Sequence, residues 1–486
     1  MKIFCVLGAG TMGAGIAQWL ATSGKEVFLS DTNPNILKKA KDSIENSYHY
    51  LVSKNKFSEL QTNQFIKNIH FVSSFNEAPS NTDIVIEAIV ENLEIKQQVF
   101  SKLDEHFSKN TIFASNTSGL SIEKIFSKLS ARRCCGLHFF NPAPIMKLVE
   151  IVKSTSISSE DLNLLRDFFL INNKKPAIVE DRPGFICNRV ARNFYGESFR
   201  ILTKDSPNQM QEIDFVLKHI AGFKMGPFEL IDLIGVDINL NATKGVFEAF
   251  GQHPRFSPHK IQEQAVKEGR LGRKTNNNGL IIGRASTDEF SLKNISPNSD
   301  ESSIIVYDEL SHDFPENSVV FDKTLFNLEE KIELLKILKE RNNHVIVEGS
   351  HLSNDILPTI NEMNFDLCNS LFVLEKNNSV ELISTSGNEK IIQDFSNHIK
   401  KNVIIRNEKT LGLIAPRILM QIIFEATVAF EEKLASKEDI DSAMKYGLNY
   451  PQGPFEWQNS ISTELVEALR LNMCHTISRK PNRYTR

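Results

Sequence analysis

Cysteine is scarce in this sequence, and long apolar runs are missing. The six cysteines among 486 residues include no C-x-x-C pair, so neither a zinc knuckle nor a disulfide framework is indicated, and a reducing cytosol is the expected compartment. No apolar run approaches the roughly 18 residues that span a bilayer. The first apolar run ends at Gly8, too early for a signal peptide. We therefore expect a cytoplasmic protein that enters no membrane and holds no metal.

An excess of charge of either sign is also missing. Lys and Arg number 56 and Asp and Glu number 60, for a formal net charge of −4, which does not favour nucleic acid or anionic lipid as the main partner. Hydrophobic residues make up 41% and charged residues 24%, an ordinary globular composition. The length predicts about three domains.

The first 180 residues alternate short β-branched runs with helical patterns, which is typical of a parallel sheet with crossover helices. The predicted strands cover residues 2–7, 26–30, 69–73, 83–89, 111–115, 135–140 and 148–152. A Lys- and Ser-rich helical stretch at 34–68 is longer than a simple crossover. It indicates a helical insertion.

The character of the chain changes after Asp181-Arg182-Pro183-Gly184, where one helical pattern follows another. We predict an α/β domain at 1–182 and an all-α domain at 183–285. A polar stretch at 285–300 reads as a linker. Strand patterns at 303–307, 318–321, 344–348 and 371–374 and a helix at 328–340 predict a small α/β domain at 300–406, and a helical pattern follows at 407–486.

The two helical regions share an internal repeat. Gly226-Pro227-Phe228-Glu229 recurs as Gly453-Pro454-Phe455-Glu456 at an offset of 227 residues. Four earlier positions, Gly184, Ile186, Arg189 and Glu197, match Gly412, Ile414, Arg417 and Glu425 at an offset of 228. The helical domain is therefore duplicated.

A glycine motif follows the first strand and opens a helix: Gly8-Ala9-Gly10-Thr11-Met12-Gly13. In this context G-x-G-x-x-G is the dinucleotide-binding fingerprint of a Rossmann-type domain, because its glycines let pyrophosphate approach the helix N–H groups. Asp31 ends the second strand, 23 residues after Gly8. A carboxylate there accepts from the ribose hydroxyls and repels a 2′-phosphate, so NAD is favoured over NADP.

Two polar residues lie in apolar strand patterns, His138 in Leu137-His138-Phe139 and Glu150 in Val149-Glu150-Ile151. A lone His in such a run is more often a satisfied core residue, and a buried carboxylate without a partner costs several kcal/mol. Together they predict a pair in which Glu150 orients the ring and His138 acts as general base.

Six motifs, in this order, resemble the 3-hydroxyacyl-CoA dehydrogenase family. They are Gly8-Ala9-Gly10-Thr11-Met12-Gly13, Glu87-Ala88-Ile89-Val90-Glu91, Ser115-Asn116-Thr117-Ser118, His138-Phe139-Phe140-Asn141-Pro142, Asp181-Arg182-Pro183-Gly184-Phe185 and Gly226-Pro227-Phe228-Glu229-Leu230-Ile231-Asp232. The resemblance covers residues 1 to about 280 and returns from 411. The long layout is similar to the bacterial branch that acts on 3-hydroxybutyryl-CoA or 3-hydroxyadipyl-CoA.

The resemblance implies oxidation of an L-3-hydroxyacyl-CoA by NAD, with hydride transfer from C3. It makes His138 the base and Glu150 its partner, while Ser118 and Asn188 hydrogen-bond the reacting oxygen. The implied cofactor contacts are Gly8, Gly10, Thr11, Met12, Gly13, Asp31, Glu91, Lys96, Ser118, Asn141 and Lys274, and the implied coenzyme A contacts are Ser47, Lys54 and Ser118. Two alternatives stay open: Glu91 and Lys96 as a solvated helix pair, and Ser47 and Lys54 as ordinary surface residues.

The chain departs from the family pattern twice. After Gly272-Arg273-Lys274-Thr275 the family commonly has G-x-G-F-Y, and this chain has Asn276-Asn277-Asn278-Gly279-Leu280. In the repeat, Pro416 stands where Asn188 stands in the first copy (188 + 228), and proline offers neither that side chain nor an N–H. The second copy is therefore expected to do no chemistry. It would replace a dimer contact, so the protein is either a homodimer or a monomer with an internal pseudo-dimer.

Two rival functions use the same scaffold. A dehydrogenase for a 3-hydroxy acid without coenzyme A would rely on a catalytic Lys rather than on the His138–Glu150 pair. An inactive relative would bind NAD and oxidise nothing, since a fold alone does not prove a function. The domain at 300–406 carries no glycine motif and is expected to be a degenerate α/β unit that binds no cofactor. The acyl chain that the enzyme prefers is not readable from the sequence.

Overall fold

The structure is a computed structural model that describes residues 1–129, 132–276, 278–284, 291–300, 302–307, 318–352, 356–370, 378–384, 387–406 and 413–473. The chain forms two compact units. The first unit comprises Met1–Arg189 and Val428–Asn449, and the second comprises Val190–Thr427 and Tyr450–Arg486. The first unit thus includes a segment from the second helical copy.

The first unit contains an eight-stranded sheet in the order β3-β2-β1-β4-β5-β6-β7-β8. Its strands are β1 (Ile3–Leu7), β2 (Glu26–Ser30), β3 (Ile69–Val72), β4 (Ile84–Glu87), β5 (Ile112–Ser115), β6 (Cys134–Phe139), β7 (Leu148–Val152) and β8 (Lys175–Val179). All neighbours are parallel except β6 and β7, which pair antiparallel with His138 opposite Glu150. The sheet interior is apolar, as a parallel sheet covered by helices requires.

The second unit contains a seven-stranded sheet in the order β10-β11-β12-β13-β14-β15-β9. Its strands are β9 (Lys293–Ile295), β10 (Ile305–Tyr307), β11 (Val319–Asp322), β12 (His344–Glu348), β13 (Asp366–Cys368), β14 (Ser379–Ile383) and β15 (Asn402–Arg406). The run from β11 to β15 repeats the order of β4 to β8, including the antiparallel pair, here β13 and β14. The duplication thus extends beyond the helical regions in which the sequence shows it.

Nineteen α-helices lie in the described part of the chain. They are α1 (Thr11–Thr22), α2 (Pro34–Ser53), α3 (Glu59–Lys67), α4 (Leu93–His106), α5 (Ile122–Phe126), α6 (Ser159–Ile171), α7 (Cys187–Val190), α8 (Arg192–Ile201), α9 (Pro207–Ile220), α10 (Pro227–Ile234), α11 (Val236–Ala249), α12 (Lys260–Lys267), α13 (Leu328–Glu340), α14 (Leu357–Met363), α15 (Glu389–Ile399), α16 (Ile414–Glu431), α17 (Lys437–Leu448), α18 (Pro454–Ser460) and α19 (Thr463–Met473).

Local sequence accounts for the helical insertion, α2 and α3. Asn33 accepts from the N–H of Asn35 at the start of α2, and Pro34 occupies the first turn, where its missing N–H costs nothing. Ser58 forms a capping box with Gln61 at the start of α3. These caps divide the predicted helical stretch into two helices.

The α/β class with a Rossmann-type first domain and helices after it is confirmed, and the predicted strands of the first sheet are observed to within two residues at each end. Strand β8 was not predicted. It contains Pro176 and forms the edge of the sheet, where a missing N–H is tolerated. The predicted linker at 285–300 is wrong in part, because β9 lies within it and pairs antiparallel with β15. The predicted strand at 371–374 lies outside the described residues.

The helices of the two copies pack on different sheets. In the first unit, α17 of the second copy packs against β7 and β8. In the second unit, α9 of the first copy packs against β14. A Cβ at Gly447 of α17 would come within 2.4 Å of Leu148 in β7, so glycine permits this close approach.

No helix in the described ranges is both long and apolar enough to cross a membrane. Across the same ranges, His, Cys, Asp and Glu side chains nowhere form a group of three or more that could hold a metal ion.

Candidate active site

His138 and Glu150 face each other across the antiparallel pair β6 and β7. His138 Nδ1 lies 2.6 Å from Glu150 Oε2, and Glu150 is fully buried. The imidazole packs against Phe140 and Phe185, with ring centroids 4.5 and 5.8 Å away. Within the described residues no hydrogen bond to Nε2 is present. With Nδ1–H donated to the carboxylate, Nε2 carries the lone pair that a general base needs.

The second oxygen of Glu150 binds the backbone near residue 189, where the first segment of the first unit ends. Oε1 accepts from the N–H groups of Ile186 and Cys187, each at 3.0 Å. These N–H groups lie at the start of α7, where helical N–H groups have no partner within the helix. One carboxylate therefore orients the His138 imidazole and fixes the helix that contains Asn188.

Asn188 lies close to Ser118 in the first unit. Its Nδ2 donates to the backbone oxygen of Ser118 at 3.3 Å. Ser118 is exposed after the end of β5, and its N–H donates to Glu91 at 3.3 Å. The two residues that the family resemblance assigns to the reacting oxygen are thus neighbours.

Lys96 is not a solvated residue. It is 1% exposed, and its Nζ lies 2.6 Å from Glu87 and 3.1 Å from Glu91. Glu87 also accepts from the Ser115 hydroxyl at 2.6 Å, and Glu91 accepts from the Thr117 hydroxyl. Two carboxylates offset the buried ammonium, as a buried charge requires. Glu91 is half-exposed and Lys96 is buried, so of the two only Glu91 is accessible to a ligand.

The glycine motif fits a dinucleotide. Gly8 has a φ of +91°, and a Cβ at Gly13 would lie 1.8 Å from the Gly8 carbonyl oxygen, so both positions require glycine. A Cβ at Gly10 would meet nothing within 4 Å, and no side chain caps α1. The start of α1 is therefore open at Gly10, and no side chain occupies the first N–H groups of the helix, which suits a pyrophosphate.

Asp31 lies beside this motif. One of its carboxylate oxygens accepts from the Ala9 N–H at 2.9 Å and the other from the Asn33 N–H at 2.9 Å. The carboxylate is partly exposed and has lone pairs left for ribose hydroxyls. This geometry is the one expected of a NAD-binding acid.

A cavity of 840 Å³ opens between α1 and the helical insertion. Ser47 lines it and accepts from Gln18 at 2.8 Å, and Lys39, Lys56 and Tyr50 also line it. Lys54, the other residue assigned to coenzyme A, lies outside the lining, exposed at the end of α2 with its Nζ 5.6 Å from the Tyr50 ring.

The remaining assigned residues lie in different units. Asn141 is exposed in the loop between β6 and β7 and lines the same cavity. Lys274 belongs to the second unit, where it forms an ion pair with Asp237. The segment after it is held by Asp232, whose carboxylate accepts from the N–H groups of Leu280 and Ile281 at 2.7 and 2.9 Å.

The second sheet keeps the carboxylate and lacks the histidine. Glu381 in β14 accepts from the N–H groups of Ile414 and Ala415 at 2.9 and 3.2 Å, as Glu150 does in the first sheet. Asn369 takes the position of His138, and its Oδ1 accepts from the Glu381 N–H at 2.7 Å. Arg406 forms an ion pair with Glu381. No imidazole therefore lies opposite Glu381 in the second sheet.

Sequence reasoning overlooked two residues of the site. Glu87 is fully buried at the end of an apolar strand, the same signal that identified Glu150. Asn116 accepts from the Phe139 N–H at 2.8 Å and ties β6 to the loop that contains Ser118. Nothing in its local sequence indicates this long-range bond.

Comparison with known proteins agrees with this geometry. Residues 4–182 match the NAD binding domain of 3-hydroxyacyl-CoA dehydrogenase, and residues 184–280 and 412–485 match the C-terminal domain of that family. The chain is 32% identical over 476 residues to 3-hydroxyadipyl-CoA dehydrogenase of Escherichia coli strain K12, covering 98% of this chain and 94% of the relative.

Two further comparisons give the same result. Mitochondrial hydroxyacyl-coenzyme A dehydrogenase of Sus scrofa is 40% identical over 57% of this chain and 89% of its own length. The crystal structure of 3-hydroxybutyryl-CoA dehydrogenase from Escherichia coli K12 superposes with a TM-score of 0.79 at 29% identity, covering 99% of this chain and 95% of that one. The chain is therefore a member of the 3-hydroxyacyl-CoA dehydrogenase family, a family of NAD-dependent oxidoreductases.

Proposed function

We propose that this protein oxidises the C3 hydroxyl of an L-3-hydroxyacyl-CoA to a ketone with His138 as the general base. The observation that carries the proposal is the buried His138–Glu150 pair at 2.6 Å, next to the carboxyl edge of the sheet that bears the glycine motif. Ligands of open α/β sheets bind at this edge. NAD, when bound, supplies the acceptor for the hydride.

The chain's own residues handle the proton. His138 Nε2 takes the hydroxyl proton, and Glu150 stabilises the imidazolium that results, since its carboxylate lies against Nδ1 in a buried site. Ser118 and Asn188 donate to the oxygen at which charge changes. Glu91 lines the nicotinamide half of the cofactor site, and Lys96 positions it.

The substrate class we propose is a coenzyme A thioester. The cavity beside α1 supports this, because its 840 Å³ is of the size of a ligand pocket and its rim has Ser47, Lys39 and Lys56 for phosphates and Tyr50 for a base. The long relatives are named for 3-hydroxyadipyl-CoA and 3-hydroxybutyryl-CoA. We propose that this chain takes one of these short acyl groups.

The test is NADH oxidation by the purified protein with acetoacetyl-CoA, 3-oxoadipyl-CoA and a 3-oxo acid that lacks coenzyme A. We expect turnover with at least one thioester and none with the free acid. Turnover with the free acid alone would contradict the substrate class. NADH binding without turnover on any of the three would leave an inactive relative as the answer.

We further propose one active site per chain and an internal pseudo-dimer. In the second unit, Asn193 of α8 donates to the backbone oxygen of Gln421 in α16 at 3.0 Å, and these positions are equivalent at the repeat offset of 228. In an isologous dimer, equivalent residues of the two subunits contact each other at the twofold axis. The Asn193–Gln421 contact has this character within one chain. This supports a monomer, which sedimentation equilibrium would report as 55.0 kDa rather than twice that mass.

A further inference from the structure

We propose that Lys174 is a positioning residue that holds the cofactor loop, defined as the residues between β6 and β7 from Phe140 to Lys147. This inference rests on the proposed function in one respect, because it assumes that Asn141, which lies in this loop, contacts the cofactor. The loop joins the strands of His138 and Glu150 and contains Asn141, so its position affects how the cofactor is bound.

Lys174 is buried and binds two carbonyl groups of the loop. It is 3% exposed, and its Nζ donates to the backbone oxygens of Ala143 and Met146 at 2.5 and 2.6 Å. Within the described residues it forms no ion pair with a carboxylate. A charged donor strengthens these bonds, and a buried carbonyl group without a partner is costly.

The loop's other backbone bonds do not replace these two. The Pro142 oxygen accepts from the N–H groups of Ile145 and Met146 at 3.0 and 2.9 Å, which closes a turn inside the loop. These two bonds do not attach the turn to the rest of the domain. At the end of the loop the Lys147 oxygen accepts from the Lys175 N–H at 2.8 Å, which continues the pairing of β7 with β8 and leaves the turn itself unattached. Lys174 provides this attachment from the turn that follows α6.

The same turn fixes the wall of the cavity. The ammonium of Lys174 lies 5.0 Å from the centroid of the Trp19 ring, and the Trp19 indole N–H donates to the Asn172 backbone oxygen at 3.4 Å. Trp19 belongs to α1, the helix that the glycine motif opens, and lines the cavity. Lys174 therefore lies between the loop and the helix that together surround the cofactor and the acyl-CoA.

The loop also presses directly on α1. A Cβ at Gly15 would come within 3.3 Å of both Ala143 and Pro144. If the loop moved, Asn141 and the wall of the cavity beside Gly15 would move with it. The expected effect is on binding, because neither His138 nor Glu150 touches Lys174.

Burying the charged Lys174 ammonium costs free energy, and this cost supports a positioning role for the residue. Burial lowers the pKa of the Lys174 ammonium to about 8, a penalty that ordinary packing would avoid with an apolar residue of the same length. Methionine at this position would fill similar space and offer no donor. That substitution isolates the two hydrogen bonds.

The test compares Lys174→Met with Lys175→Met, which removes the neighbouring, exposed lysine. The dissociation constant of NADH is measured by its fluorescence without substrate, so it does not depend on turnover. We expect it to rise about tenfold in Lys174→Met and by less than about twofold in Lys175→Met, with kcat on saturating acetoacetyl-CoA within about threefold of wild type. We also expect the emission of Trp19 to shift only in Lys174→Met, read in a Trp457→Phe background.

Equal NADH affinity in the two variants would overturn the proposal, and so would a loss of kcat in Lys174→Met with NADH affinity unchanged. If Lys174→Met does not fold, Lys174→Leu replaces it, since leucine also offers no donor, and an NADH affinity equal to that of wild type would overturn the proposal in turn. If the wild type binds NADH and reduces no oxoacyl-CoA, the proposed function is wrong. The comparison of NADH affinity between Lys174→Met and Lys175→Met can still be made, because it does not depend on turnover.

Discussion

At the scale of single residues, Glu150 has two tasks that its two oxygens divide. One oxygen binds His138 and the other binds two N–H groups at the start of α7. The second sheet separates these tasks, because Glu381 keeps the N–H contacts where the histidine is absent. Anchoring the helix therefore does not depend on catalysis.

Glu150→Gln tests this division. The amide keeps an oxygen for the N–H groups of Ile186 and Cys187 and turns its NH₂ towards Nδ1, which forces the imidazole to hold its proton on Nε2, the wrong tautomer for a base. We expect kcat to fall about 10²- to 10⁴-fold with NADH affinity unchanged. Glu180→Gln, at a half-exposed carboxylate, is the control, and equal kcat in the two variants would contradict the role of Glu150.

A second residue-scale prediction concerns Asp214. Burial raises the pKa of this carboxyl from 3.8 to about 8, although the carboxyl accepts from the N–H groups of Phe228 and Glu229. Between these two values the folded state holds a proton that the unfolded state has lost, so the free energy of unfolding falls as pH rises from 3.8 to 8. Urea unfolding at pH 5 and pH 8.5 should show this fall in wild type and less of it in Asp214→Asn. An identical pH dependence in both proteins would contradict it.

At the scale of elements, each of the two sheets has a buried Lys–carboxylate ion pair at the carboxyl end of the equivalent strand. Lys96 pairs with Glu87 at the end of β4, and Lys331 pairs with Asp322 at the end of β11, with Nζ to oxygen distances of 2.6 and 2.7 Å. All four side chains are at most 1% exposed. The ion pair is thus a structural feature of the strand–helix unit in both sheets. Only the first sheet also has a glycine motif.

Lys96→Met and Lys331→Met form a matched pair of variants. Each leaves a carboxylate buried without its cation, so we expect each to lower the free energy of unfolding by about 3–5 kcal/mol. Only Lys96→Met should weaken NADH binding, because only Lys96 contacts Glu91. Weaker NADH binding in Lys331→Met would indicate a second cofactor site.

The sequence predicts regular elements well and their exceptions poorly. Alternating and apolar runs locate β1 to β7 because a buried parallel strand needs such a run. Strand β8 escapes because Lys175 and Pro176 resemble a loop, and β9 escapes because its short polar run is visible only once β15 is beside it. The repeat in sheet topology leaves no continuous motif in the sequence, because the residues that the two sheets keep in common, such as Glu381 and Lys331, are isolated positions.

At the scale of the whole molecule, the second copy has Asn369 in place of the histidine and contributes a helix to the first unit. Its helix α17 packs on β7, the strand of Glu150, and the Ala443 oxygen accepts from the Cys187 thiol at 3.4 Å. The site residues on one strand or one motif were predictable from the sequence. This support was not, because it links residues about 256 positions apart.

Gly447→Ala tests that support against Gly245→Ala, a helix glycine with open space around it. At Gly245 alanine should stabilise the protein by up to about 1 kcal/mol through helix propensity. At Gly447 the methyl group meets Leu148 and Cys187, and we expect a loss of about 1–3 kcal/mol with lower turnover. Thermal unfolding and kcat of both variants give the comparison, and stabilisation at Gly447 would contradict the close packing.

The central claim is that this protein is a dehydrogenase whose base is His138, and one assay tests it most directly. NADH oxidation with acetoacetyl-CoA, at pH 7 and saturating NADH, is measured for wild type and for His138→Gln, in which the ring is absent and the neighbouring contacts are kept. We expect wild-type turnover and a loss of about 10²-fold or more in the variant, with NADH affinity unchanged. Turnover of similar size in both proteins would contradict the claim.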